Sequence, residues 1–258
     1  MFGNHFYHKR VRTAVSVFGS LFNDMYVLRE DAAGDIISQV KCPLSYAPKR
    51  SFLERLKAMT DGEGNERMVA VKLPRMSFEV TSMNYDATRQ LPKMNNFTKA
   101  VGGSNTTKKR YYTSVPYDIA FQLNIYAKSQ DDALQIVEQI IPYFNPQYTV
   151  SVKPFIDQVD IVEDVPVILS GVSFSDDYEG AVGDRRTIIY TLDFNMKVSF
   201  FGPVNTGSIV REVKNNFYIM QPDGSDTWAE GSVIAPNPID VSPEDDYGFN
   251  VTSLDNEA

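Results

Sequence analysis

The run RRTIIYTLDFNMKVSFF, residues 185–201, constrains the fold more than any other part of the chain. Ile188, Tyr190, Leu192, Phe194, Met196, Val198 and Phe200 recur at every second position, which puts them on one face of an extended strand. A strand that long with one apolar face has to bury that face, and its register is fixed by the need to do so. A second run of the same kind sets Tyr117, Ile119, Phe121, Leu123 and Ile125 against Asp118, Ala120, Gln122, Asn124 and Tyr126. VPVILSGVSF, residues 165–174, supplies a third strand, joined to the first run by the acidic, glycine-containing turn SDDYEGAVGD. The core is therefore a sheet.

Helices are expected to cover it. Val11, Val15, Phe18, Leu21 and Phe22 have helical spacing, and Phe52, Leu53 and Leu56 predict a second helix over 51–59. A third begins at Ser129, a cap residue with Asp132 three positions on, and its buried stripe is Ala133, Ile136, Val137, Ile140 and Ile141. Between these, MYVLRE (residues 25–30) and IISQVKCPLSY (residues 36–46) flank DAAGD as a β-hairpin, and QYTVSV (residues 147–152) is strand-like. Pro74 interrupts the extended stretch MVAVKLPRMSFEVTSMNY and points to an edge strand or bulge. Residues 87–110, rich in Asn, Thr, Gly and Lys, predict a long mobile loop or arm suited to assembly contacts. The expected fold is α+β, a mixed and mainly antiparallel sheet with helices packed on one face. Residues 1–202 form the core domain of this reading, and 203–258 an irregular acidic C-terminal extension that orders on a partner.

Charge sharpens that division. Residues 1–60 hold nine Lys/Arg against five Asp/Glu, whereas residues 203–258 hold two against ten. With a net charge of −8 over 258 residues, direct or sequence-specific nucleic-acid binding is not expected, because such affinity rests on clustered cations that release counterions. No apolar run is long enough to cross a bilayer, and MFGNHFYHKRVR lacks the cationic-then-apolar order of a signal peptide. No membrane association and synthesis in a cytoplasm are expected.

The chain offers little to catalyse with. His5 and His8 are its histidines and Cys42 its one cysteine, so neither a thiolate metal cluster nor a disulfide within the chain can form. GEGNE and VGGSN lack the Lys and Ser of a phosphate-binding loop. Asp176, Asp177, Glu179 and Asp184 could hold a divalent cation, and a metal-dependent hydrolase built on them stands as a distant alternative. Their position at a hairpin tip instead predicts a solvated turn. No cofactor, metal or catalytic residue is assigned. The candidate interface residues are Arg75, Lys108, Lys109, Arg110, Arg185, Arg186 and Trp228: cations available for ion pairs with a neighbouring subunit, and one large aromatic.

The segments MFGNHFYHKR, KCPLSYAPKRSFLERL, VKLPRMSFEVTSMNYD, PYDIAFQLNIYAKSQDDALQIVEQIIPYFNPQYTV and DYEGAVGDRRTIIYTLDFNMKVSFFGP occur in an order that resembles the proximal tail sheath stabilisers of T-even-like contractile-tailed bacteriophages. The resemblance runs through most of residues 1–203 and touches the extension only at PNPIDVSPEDDYG. It implies a structural virion protein with a tail-terminator-like fold and no cofactor. It further implies a homo-hexameric ring at the head-proximal end of the tail, in contact with the tail sheath protein, the tail terminator protein and the neck or head completion proteins. A tail terminator or another neck ring protein is the alternative within that class.

Overall fold

The computed structural model describes residues 5–30, 35–51, 73–100, 106–155, 161–177, 187–242 and 245–255. Its largest sheet is built from the three strands that the alternation picks out. Strand β7 (Val115–Ala127) pairs antiparallel with β10 (Thr187–Phe200) along its whole length, Phe121 opposite Phe194 and Leu123 opposite Leu192. The other side of β10 pairs with β9 (Glu163–Asp177), which in turn pairs with β8 (Gln147–Val152). Beyond β7 lies β4 (Arg75–Tyr85), and the short β3 (Leu44–Tyr46) adds to it in parallel, giving the order β3-β4-β7-β10-β9-β8.

The register gathers Met76, Phe78, Ile119, Phe121, Leu123, Leu192, Phe194 and Met196 into one buried face. Helix α1 (Arg10–Leu21) lays Phe18 on that face, stacked on Phe121 at 4.3 Å and edge-on to Phe194 at 5.3 Å. Such aromatic geometries add to the area they bury. Phe144, just beyond helix α2 (Gln130–Ile140), meets the same Phe194 edge-on at 5.1 Å. The stripe of α1 is rotated from the expected one: Arg10, Ala14 and Phe18 are buried, while Val11 is exposed and Val15 and Leu21 are only partly covered. The reason is an ion pair. Arg10 donates Nε to the Ser199 carbonyl at 3.0 Å and its Nη2 to Glu163, whose other oxygen accepts the Ser199 N–H at 3.2 Å. This network fixes α1 across the ends of β9 and β10.

Helix α2 follows its expected stripe through Ala133, Ile136, Val137 and Ile140, but Ile141 is exposed. Ser129 caps the helix by accepting the Asp131 N–H at 3.3 Å, and Asp132, instead of completing a capping box, is buried against Arg29 at 3.1 Å. Strands β1 (Met25–Glu30) and β2 (Ile36–Cys42) make the expected hairpin. Gln135 and Gln139 of α2 hydrogen-bond the backbone of Leu28 and Tyr26, so side-chain amides cover a strand edge that would otherwise recruit other chains.

Four expectations are revised. The described strands form four sheets, so one sheet backed by helices understates the amount of strand. The residue 87–110 loop is largely a hairpin: after a short 3-10 turn at Ala87–Arg89, β5 (Asn96–Ala100) pairs with β6 (Thr107–Tyr112), and β11 (Asn205–Ser208) adds to the other side of β6. The extension is not irregular, because β12 (Val213–Met220), β13 (Asp226–Asn237) and β14 (Gly248–Asp255) form an antiparallel sheet. The segment after Pro74 is an edge only in part: Met76–Phe78 pairs with β7 on one side and β3 on the other, whereas Glu79–Tyr85 pairs with β7 alone among the described strands and carries the expected bulge, between Val80 and Ser82. The helix expected over 51–59 lies, apart from Ser51, outside the described residues.

Candidate interaction surfaces

Several chemistry-bearing side chains in the described residues are tied up in packing, while His5 is exposed. His8 bonds the Gly202 carbonyl at 2.9 Å and packs edge-on against Phe155 at 5.1 Å. Burial pushes the Cys42 thiol up to about 12, which keeps it protonated and unreactive near neutral pH. Burial likewise pushes Tyr126 up to about 12, while its hydroxyl shares a 3.0 Å hydrogen bond with Ser77. Among the described residues no three His, Cys, Asp or Glu come together as a metal-binding group. The acidic turn is outside that description: β9 ends at Asp177, and Glu179, Asp184, Arg185 and Arg186 lie beyond the described residues. An open pocket of about 530 Å³ between the ends of α1 and α2 is lined by Leu21, Phe22, Tyr143, Phe144 and Tyr148 together with Asp24 and Glu138.

Surfaces for partners are more distinct. Lys108, Lys109 and Arg110 all lie on β6, where the register adds Lys99 of β5 directly opposite Lys109 and sets Arg110 opposite Thr98 and Asn205. None of the four has an ion pair or side-chain hydrogen bond within the described residues. The strand pleat puts Lys99 and Lys109 on the side of Phe97 and Tyr111, which stack at 5.0 Å, and Tyr111 packs on Phe155. Lys108, Arg110 and Tyr112 take the opposite, outer side, where the Tyr112 hydroxyl accepts a hydrogen bond from Asn205 at 3.2 Å. Sequence reasoning found the β6 cations but missed Lys99, which only strand pairing brings to them.

Arg75 is elsewhere, on β4 opposite Tyr126, within 3.3 Å of the Ser45 hydroxyl. Trp228 is on β13, cross-strand from Tyr218 and beside Gly231. At Gly231 an added Cβ would come within 3.0 Å of the Asn215 carbonyl, so glycine permits the close approach of β12 there. The C-terminal sheet is the largest departure from expectation, because one of its faces carries Val213, Phe217, Val251 and Phe249 in exposed positions, the last at 65%. Contiguous apolar exposure of that kind marks an interaction site. The signal available in the sequence was the FYIM run, residues 217–220, and the alternation of Phe249 and Val251.

Sequence comparison fits an assembling protein. Residues 5–256 match the T4-like virus Myoviridae tail sheath stabiliser family. The chain belongs to that family. It is also similar to the tail completion protein gp15 of Enterobacteria phage T4, 26% identical over 254 residues that cover 95% of this chain and 90% of the relative. The match extends through the C-terminal sheet, well past the stretch where the resemblance was dense in the sequence. The protein is thus a structural component of a bacteriophage tail and is located in the virion. No helix among the described residues is long and apolar enough to cross a membrane.

Proposed function

We propose that the chain is the subunit of a hexameric ring at the head-proximal end of a contractile tail, where it caps and stabilises sheath and tube and offers the attachment surface for the neck. Its partners in this reading are further copies of itself, the tail sheath protein, the tail terminator protein and neck or head completion proteins. The family match over residues 5–256 carries the reading, since a sheath stabiliser has to touch sheath and to persist at one end of it. Two features of the molecule support it. A closed ring needs two different, complementary patches on each subunit, and the chain has a carboxylate-free cationic sheet and a separate apolar, acidic one. Residues 1–202 would then supply the ring-forming core, and 203–258 the reach to neighbours, with β11 of that segment anchored on β6. The proposed role requires no reaction and no cofactor.

Imaging of intact virions with the chain labelled at one terminus tests the proposal. Label at the head-proximal end of every tail, at six copies, is the expected result; label spread along the sheath or confined to the baseplate end would overturn it.

A further inference from the structure

The three strands β5, β6 and β11 read NFTKA, TKKRYY and NTGS, four cations and no carboxylate. Like charges facing each other across strands are destabilising unless a counter-charge offsets them, and Lys99 and Lys109 face each other in register. Lys109 is only 9% exposed and has no acidic partner among the described residues. The outer side of the same sheet presents Lys108, the exposed Arg110 and Tyr112. An excess of positive charge therefore stands in a sheet that cannot neutralise it from within.

The C-terminal sheet has the opposite character. Lys214 is the one cation of β12–β14, and it is neutralised by Glu212 at 2.8 Å. Glu230 is exposed, without an ion pair among the described residues, and the register puts it cross-strand from Phe217 on the face that also bears Val213, Val251 and Phe249. That face combines a carboxylate with bare apolar area, and apolar area carries most of the affinity of an interface while charge sets its orientation.

We propose that the outer face of the β5–β6–β11 sheet, through Lys108, Arg110 and Tyr112, receives the Glu230-bearing face of the β12–β14 sheet from a second copy of the chain. The two faces are different, so the contact is head-to-tail and propagates from copy to copy until rotation closes it. The proposal rests on the ring reading and adds to it which surfaces meet. A nucleic acid is the other anion that could lie on the cations, but it would leave the apolar residues around Glu230 uncovered.

The test is sedimentation velocity of the full chain at low and moderate salt, comparing wild type, the double variant Lys108→Glu/Arg110→Glu, the single variant Glu230→Lys, and all three changes together. All three positions lie on open strand faces, and circular dichroism of each variant verifies folding. The double and the single variants are expected to weaken self-association by about tenfold or more, and the combined variant to recover a substantial part of it. Wild-type assembly that neither variant alters, or no recovery in the combined variant, overturns the proposal while leaving the ring reading intact. Loss of binding to a DNA oligonucleotide with unchanged self-association overturns it in favour of nucleic acid. A wild-type chain that stays monomeric throughout removes the ring reading itself, and this proposal with it.

Discussion

The six-stranded sheet and the C-terminal sheet are both antiparallel ladders for most of their length, yet they reach stability by different routes. In the first, strand pairing is followed by burial: Phe121, Leu123, Leu192, Phe194 and Met196 lie at or below 1% exposure beneath α1 and the end of α2. In the second, pairing satisfies the backbone of β12, β13 and β14, but neither helix packs along it and Phe217, Phe249 and Val251 remain 56%, 65% and 66% exposed. Backbone hydrogen bonds contribute little net stability relative to those made with water, whereas apolar burial contributes roughly 25 cal/mol for each Å² covered. One sheet folds on itself. The other is a ladder that leaves much of its apolar area exposed.

That contrast sets the order of expected effects. Phe18→Ala, at the centre of the aromatic cluster, is expected to destabilise the chain by about 4 kcal/mol in denaturant titration; Phe249→Ala is expected to stay within about 0.5 kcal/mol in the unassembled chain, and equal losses at both positions would erase the distinction. Next, Glu163→Ala strands the Arg10 guanidinium, which is 5% exposed beside a carboxylate 19% exposed, and a loss of about 3 kcal/mol is expected because the charge left behind is buried. Arg10→Met with Glu163→Leu should recover most of it, which measures how far the pair acts through desolvation.

A smaller effect lies on the other face of β7. Thr191 donates to Asn124 Oδ1 at 2.9 Å, both residues being buried, while Asn124 Nδ2 has no partner among the described residues. Thr191→Val removes that donor with little change of shape, and about 1–2 kcal/mol should be lost, read from thermal unfolding.

The smallest effect is conditional on pH. Hydrogen bonds from Thr88, and then from Arg89, hold the Asp86 carboxyl well below the usual carboxylate range, and Arg89 carries the link on to Asp118 at 2.7 Å. A carboxyl depressed in the folded state stabilises fully above its unfolded value near 4 and loses that contribution as pH falls through the folded one. Amide protection factors at the Tyr85–Tyr117 end of β4 and β7, corrected for the intrinsic pH dependence of exchange, should therefore fall as pH drops below about 4 in the wild type, with a shallower response in Asp86→Asn. Identical pH responses would show that the turn is held by other contacts.

Legibility in the sequence divides along the same line. The alternation in 117–127 and 187–200 was plain because those strands have one wet and one dry side, and the dry side needs apolar residues at every second position. The β5–β6 hairpin was invisible to that criterion: it holds itself through strand pairing and one Phe97–Tyr111 stack, in a composition of Asn, Thr and Lys that also suits loops. The C-terminal sheet was missed because apolar residues stand on both faces of β12, so Phe217, Tyr218, Ile219 and Met220 form a run with no period. Arg10 lies off the expected stripe of α1 and Asp132 was expected at a helix cap; only the tertiary partners Glu163 and Arg29 explain their burial. Of the candidate interface residues, Lys108, Lys109 and Arg110 share one strand, whereas Arg75 and Trp228 sit on two other sheets.

The central claim is that the protein is an assembling subunit whose C-terminal sheet is completed by another copy. Cryo-electron microscopy of the purified full-length chain tests it most directly. A closed ring with Phe249 and Val251 buried at every subunit contact is the predicted result; a persistent monomer, or a ring closed through other surfaces with those two side chains in solvent, would contradict it.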